Sequence, residues 1–142
     1  VPRSYRFRGR RASVSERVPA EVEELLTSEP LTAYLATSRE DRPHVAPVWY
    51  RYEDGTVEVM TTGRKLENLG ANPRVSLAVQ KAEAGIPEWT VTLLGNAEVV
   101  EDERENREAN RRINRKYGVE PDAWEGNTLV RIDVGSASYR TY

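Results

Sequence analysis

The sequence predicts an α+β protein, mainly β, built as a small antiparallel barrel with a few peripheral helices. Three observations carry that expectation. Apolar, β-branched and aromatic runs of strand length recur from residue 31 onward, divided by turn residues. An Asp54-Gly55 turn joins two of these runs as a hairpin. Helical spacing is confined to three main stretches, two of them short and the third very polar. Many short strands with helices at the corners suit a barrel better than a layered parallel sheet.

Residues 19–27 read as a helix. Pro19 suits its first turn, Val22, Leu25 and Leu26 form one stripe, and Glu21, Glu23 and Glu24 sit where the helix dipole favours acids. A strand over 31–38 follows, then a turn over 39–43. Residues 44–52 and 56–62 are the two arms of the hairpin. Pro47 lies inside the first arm and cannot donate to a ladder, so that strand must be an edge or carry a bulge. Residues 64–70 form a short helix with Thr62 as its N-cap, stopped by Asn72-Pro73. Residues 74–80 are a strand with Val75, Leu77 and Val79 on one face, and 81–87 a loop. Residues 88–101 make a long strand with a bulge or bend at Gly95. Residues 102–118 form a helix capped by Asp102 and closed by Gly118, with only Ala109, Ile113 and Tyr117 as an inner edge. A further turn at 121–125 and strands over 129–134 and 138–142 complete the reading.

Composition narrows the function. The 142 residues suit one domain, long enough to bury a core without a disulfide or metal staple. The absence of cysteine excludes thiolate metal sites and thiol nucleophiles, and it is compatible with the expected cytoplasmic location. No apolar run is long enough for a membrane helix or a signal-peptide core. The sequence opens on Val1 without a methionine, as a trimmed or partial chain would. The net charge of -2 argues against a nucleic-acid binder. Residues 1–17 nevertheless hold six arginines against one glutamate, a surplus of five positive charges that leaves the rest of the chain at -7. We read residues 1–17 as a basic arm and 18–142 as a single domain.

The strongest chemical signal is Thr61-Thr62-Gly63-Arg64-Lys65 at a helix start. Two adjacent cations there, beside unpaired N–H groups and the positive end of the dipole, make a seat for a phosphate. Arginine offers a planar fork and lysine a point charge. The strand segment Val45 to Tyr50, with Trp49 and Tyr50, could hold a flat ring beside that seat, which suggests a phosphate-bearing cofactor such as a flavin. Core packing and capping account for the same residues without a ligand. His44 is the single histidine, too few for a multi-ligand metal centre. No serine–histidine–acid array is recognisable, and no catalytic residue stands out.

The ordered set His44 to Tyr52, Thr61-Thr62-Gly63-Arg64-Lys65, Asn68 and Asn72-Pro73-Arg74-Val75 resembles the pyridoxamine 5′-phosphate oxidase-like family of FMN-binding split β-barrels. The resemblance covers roughly residues 18–101. It implies a homodimer with FMN in the groove between subunits, and an oxidoreductase activity with unknown substrate and electron donor. It also implies residue roles. Arg64 and Lys65 would hold the phosphate. Thr61, Thr62 and Asn68 would meet the phosphate or ribityl chain. Pro47, Val48, Trp49 and Tyr50 would line the ring. Trp89 would reach the ring from the partner subunit, with Arg140 and Tyr142 as weaker candidates. Related barrels bind a deazaflavin coenzyme or haem, and some act without catalysis, so these stand as alternatives. Tyr50 occupies a position where true pyridoxamine-phosphate oxidases carry a substrate-phosphate ligand, and Arg107, Arg111 and Arg112 do not align with that family's arginine-rich segment. Pyridoxamine phosphate is therefore not the expected substrate.

Overall fold

The computed structural model describes residues 12–142; residues 1–11, which hold most of the basic arm, lie outside the described residues. The sheet is antiparallel and seven-stranded. Its strands are β1 (Ala33–Arg39), β2 (Arg42–Val48), β3 (Tyr50–Glu53), β4 (Thr56–Thr61), β5 (Arg74–Glu83), β6 (Ile86–Val100) and β7 (Thr128–Thr141). Among the described residues four helices flank it: α1 (Val14–Arg17), α2 (Ala20–Thr27), α3 (Arg64–Ala71) and α4 (Glu103–Lys116).

The strand order is β2-β1-β5-β6-β7-β4-β3. Strands β2 and β3 are neighbours in sequence, separated by Trp49 alone, yet they form the two opposite edges of the sheet. A one-residue connection can join two edges only if the sheet curls until they meet, and β2 indeed touches β4. The two edges do not pair with each other, so the barrel is split.

The expected hairpin of residues 44–52 with 56–62 is half right. Residues 50–53 pair with β4, whereas 42–48 pair with β1 across a tight turn at Glu40 and Asp41, both at positive φ. Alternation along 44–52 could not reveal this, because both halves bury one face. Pro47 sits opposite Tyr34 on an edge strand, as its missing N–H requires. The expected loop at 81–87 is instead ladder: β5 runs to Glu83, and Ala84-Gly85, at φ 51 and 82, make the two-residue turn into β6. The two expected C-terminal strands are one, β7, which absorbs Gly135 in a register shift opposite Leu94 and Gly95. Gly95 is required there, since a Cβ would lie 2.5 Å from the Asp133 carbonyl oxygen.

The core lies inside the curled sheet and is closed by α2. Val18, Val22 and Leu26 pack there on Leu35, Val57, Leu77, Val91 and Ile132, all at most 1% exposed. Each such side chain contributes about 1.5–3 kcal/mol by leaving water. Arg17 of α1 donates to the Val134 carbonyl and pairs with Asp133, tying α1 to β7. Pro19 is the N-cap residue of α2 rather than part of its first turn. Helix α4 follows its prediction, with Asp102 accepting from the Glu105 N–H at 2.9 Å. Ala109 and Ile113 are buried as expected, and Asn110 and Asn114 are buried with them. Those two amides donate to the Ala123 carbonyl at 2.9 and 3.0 Å, drawing the 121–126 turn over the helix.

Candidate functional site

A cleft of about 290 Å³ opens where β2 ends, β4 ends and α3 begins. Pro47, Val48 and Trp49 come from the crossing between sheet edges, and Met60, Thr61 and Thr62 from the end of β4. Lys65 enters from the first turn of α3. Asn110, Ile113 and Asn114 form the α4 wall, with Trp124 and Asn127 from the turn that follows it. A larger trough of about 840 Å³ shares Met60, Asn110 and Asn127 with the cleft and continues past Leu66 to Glu101, Glu103, Asp122, Glu125 and Arg107.

Local sequence explains this placement. Strand β4 must turn sharply into α3, and Gly63 does so at φ 71. Gly63, not Thr62, is therefore the N-cap, which corrects the expectation. The helix has no side-chain cap, so no side chain takes the N–H groups of its first turn, and Thr62 remains exposed at the cleft. Lys65 is half-buried there and forms no ion pair among the described residues.

Trp49 is fixed on both sides. It stacks on Tyr117 with ring centroids 4.4 Å apart and planes 3° from parallel, and meets Trp124 edge-on at 5.2 Å. The Tyr117 hydroxyl donates to the Leu31 carbonyl at 2.6 Å and accepts from the Tyr50 N–H at 3.1 Å. Burial pushes this hydroxyl up to about 12. Trp124 adopts φ 55, an unusual conformation for a bulky residue, next to the Ala123 carbonyl held by Asn110 and Asn114. The cleft wall is thus positioned by part-buried hydrogen bonds as well as by loop packing.

Six of the ten sequence-predicted site residues meet in this cleft: Pro47, Val48, Trp49, Thr61, Thr62 and Lys65. The other four do not line it. Tyr50 is fully buried, its hydroxyl donating to the Leu26 carbonyl at 2.6 Å. Arg64 is exposed at the first position of α3. Asn68 is buried and donates to the Thr37 hydroxyl at 3.0 Å. Trp89 is buried near the start of β6, between Lys81 and Thr141. Arg140 stacks over Tyr142 on the exposed end of β7, and His44 is half-buried on β2 opposite Thr37. No metal-ligand cluster occurs among the described residues. Arg111 and Arg112 are engaged elsewhere, pairing with Asp122 and Glu58.

Sequence reasoning missed Met60, Asn110, Ile113, Asn114, Trp124 and Asn127 as cleft residues. One signal was present. Asn110 and Asn114 are neutral amides, four apart, on a helix otherwise crowded with charge, and neutral amides are what a helix face can bury beside an apolar stripe.

The architecture is a split antiparallel barrel with a cleft where its two edges meet. The chain belongs to the pyridoxamine 5′-phosphate oxidase family, whose model matches residues 19–141. Among solved structures, it is similar to a FAD-binding protein from Mesorhizobium loti, at 27% identity over 84% of this chain and 89% of that one, with a TM-score of 0.68. A conserved hypothetical protein from Mycobacterium tuberculosis aligns at 25% identity over 87% and 84% of the two chains, with a TM-score of 0.73. An F420 reductase shares the fold at 24% identity over 81% and 94%, with a TM-score of 0.66. No match was found among curated proteins.

Proposed function

We propose that this protein is a flavin-dependent oxidoreductase that binds FMN in the cleft between β2, β4 and α3. The observation that carries this reading is the convergence of Lys65, Thr61 and Thr62 with Pro47, Val48 and Trp49 around one cavity. The residues present fit the group. An ammonium, an exposed hydroxyl and a helix first turn without a side-chain cap form a phosphate seat at one end. Apolar groups of Val48, Met60 and Ile113 line the same cleft. A family resemblance and a FAD-binding structural relative both support a flavin.

The flavin, when bound, supplies the hydride chemistry. The chain supplies binding and orientation. Lys65 neutralises phosphate charge, Thr61 and Thr62 offer hydroxyls, and the Trp49–Tyr117 stack keeps the wall rigid and excludes water from that side. The deazaflavin alternative is supported by the F420 reductase of the same fold. The trough beyond the cleft counts against it, because Glu101, Glu103 and Glu125 outnumber Arg107 there, with Asp122 already paired to Arg111, and would repel an acidic tail.

A homodimer belongs to this proposal. The outer face of the sheet carries two rows, Pro47-Tyr34-Ala78-Thr92-Ser138 and Val45-Ala36-Ser76-Leu94-Ser136, without one charged residue. Tyr34, Val45 and Leu94 on it are 49%, 64% and 54% exposed. An uncharged sheet face of that width suits a self-complementary two-fold contact, which sedimentation velocity reads directly.

The test is a visible spectrum of the purified protein with mass spectrometry of the released molecule, repeated on Lys65→Ala combined with Arg64→Ala. FMN released from the parent and lost from the double variant is the expected result. Unchanged FMN retention in the variant overturns the phosphate assignment.

A further inference from the structure

On the far side of the Trp49–Tyr50 crossing lies a second depression, about 390 Å³, lined by Thr27, Arg51, Tyr52, Arg112, Arg115 and Lys116. Four of its six lining residues are cations and none is an acid. Positive side chains do not gather without compensation, so the carboxylates nearby decide the net field. Glu58, 6% exposed, accepts from Arg51, Arg112 and Arg131 behind the pocket. Glu53 pairs with Arg51, Glu105 with Arg131, and Glu23 accepts from the Tyr52 hydroxyl. Glu58, Glu53 and Glu105 thus serve Arg51, Arg112 and Arg131, and Glu23 is held by Tyr52. Arg115 and Lys116 form no ion pair among the described residues. The Arg112 Nε is buried without a hydrogen-bond partner.

We propose that this pocket binds a phosphate group, free or carried on a small organic molecule, independently of the flavin cleft. Two cations without carboxylate partners call for a group of charge near −2 with several acceptor oxygens, which a phosphate monoester supplies at neutral pH. Arg115 offers a fork, Lys116 a point charge, and the Arg112 Nε a further donor. The Lys116 Nζ already lies 2.8 Å from the Tyr50 carbonyl and 3.6 Å from the centre of the Tyr50 ring, so the ammonium is held in place. Burial first, then the charge of Arg51, pull its pKa down to about 8, the behaviour of a cation short of a counter-ion.

The test is calorimetric titration of the full chain with inorganic phosphate and, separately, with glycerol 1-phosphate. Four proteins are compared: parent, Arg115→Gln, Lys65→Ala and Arg104→Gln. Arg115 and Arg104 are both exposed on α4, which makes Arg104→Gln the control for general charge. Arg115→Gln should weaken binding by roughly tenfold or more, the usual weight of a hydrogen bond to a charged group. Arg104→Gln should leave it unchanged, and Lys65→Ala should remove only the separate phosphate binding of the FMN-free flavin cleft, leaving the component that Arg115→Gln weakens. Tighter binding of glycerol 1-phosphate than of phosphate points to an organic ester, and equal binding to the free ion. If the Arg115→Gln circular dichroism departs from the parent, Lys116→Gln takes its place with the same expectation. Three results would overturn the proposal: no binding to the parent at millimolar phosphate, equal loss with Arg104→Gln, or loss with Lys65→Ala but not with Arg115→Gln. The last of these moves the phosphate to the flavin cleft, leaving the reading of that cleft intact.

Discussion

Replacing Tyr117 by Phe removes one oxygen and tests how the crossing between sheet edges is held. In the β3–β4 hairpin the two-residue turn makes Glu53–Thr56 and Arg51–Glu58 the hydrogen-bonded pairs, so Tyr50 turns its N–H away from β4. That N–H finds the Tyr117 hydroxyl at 3.1 Å, and the same hydroxyl serves the Leu31 carbonyl at 2.6 Å. Tyr50 is fully buried, so its N–H loses a partner that water cannot readily replace, which costs about 1–3 kcal/mol. Leu31 is half-buried and recovers part of its loss from solvent. The stack of the Phe ring on Trp49 survives. The sum is a loss of about 2–3 kcal/mol. With a urea dependence of about 1–3 kcal/mol per molar for a small protein, the unfolding midpoint should fall by about 1 M. Tryptophan fluorescence during urea unfolding reads this. Tyr139→Phe, on a side chain 45% exposed, should change almost nothing. A loss below about 0.5 kcal/mol for Tyr117→Phe would refute the reasoning, because it would mean that the crossing is held by packing alone.

Two glycines should respond with opposite signs. Gly95→Ala puts a Cβ 2.5 Å from the Asp133 carbonyl oxygen, which is backbone and cannot swing aside, and should cost about 3 kcal/mol in thermal or urea unfolding. Gly70→Ala, inside α3 with nothing within 4 Å, should stabilise by about 0.5–1 kcal/mol. The pH dependence of stability in phosphate-free buffer isolates Lys116. Its folded pKa of about 8 lies below the ordinary 10.5, so the unfolded chain binds the proton more tightly. Its penalty is present in full below pH 8 and is relieved as pH rises towards 10.5. Tyr117 acts in the other sense, because its raised pKa of about 12 means stability lost as pH climbs from 10 to 12. The parent should therefore gain of order 1 kcal/mol on Lys116→Met between pH 8 and 10, after discounting for the solvent that reaches a half-buried ammonium. An unchanged difference between parent and variant across that range would refute it.

Much of the candidate site was legible before any coordinates. The strand ends Pro47-Val48-Trp49 and Thr61-Thr62 and the cation Lys65 are local features, each readable from proline's missing N–H, β-propensity or helix-start chemistry, and they do meet. Arg64, Asn68 and Trp89 could not be sorted from them in the same way. Adjacent or helically spaced positions share a sequence neighbourhood, but which one faces a cavity depends on the strand or helix packed opposite. Asn68 turned to Thr37 of β1, thirty-one positions away, and nothing in its own segment names that partner.

By itself the sequence determined the class, a mainly antiparallel barrel with short corner helices, because turn residues, periodicity and caps act over a few residues. It also limited Pro47 to an edge or a bulge and Gly95 to a bulge or bend. Only the tertiary structure decided that residues 44–52 divide at Trp49 and serve opposite edges of one sheet. The same holds for the gathering of Arg51, Arg112, Arg115 and Lys116 from a strand and a helix into one pocket. The reason is the period of a strand. Alternation shows that one face is buried, but not which other strand lies alongside it, and that choice is made by closing the whole sheet around its core.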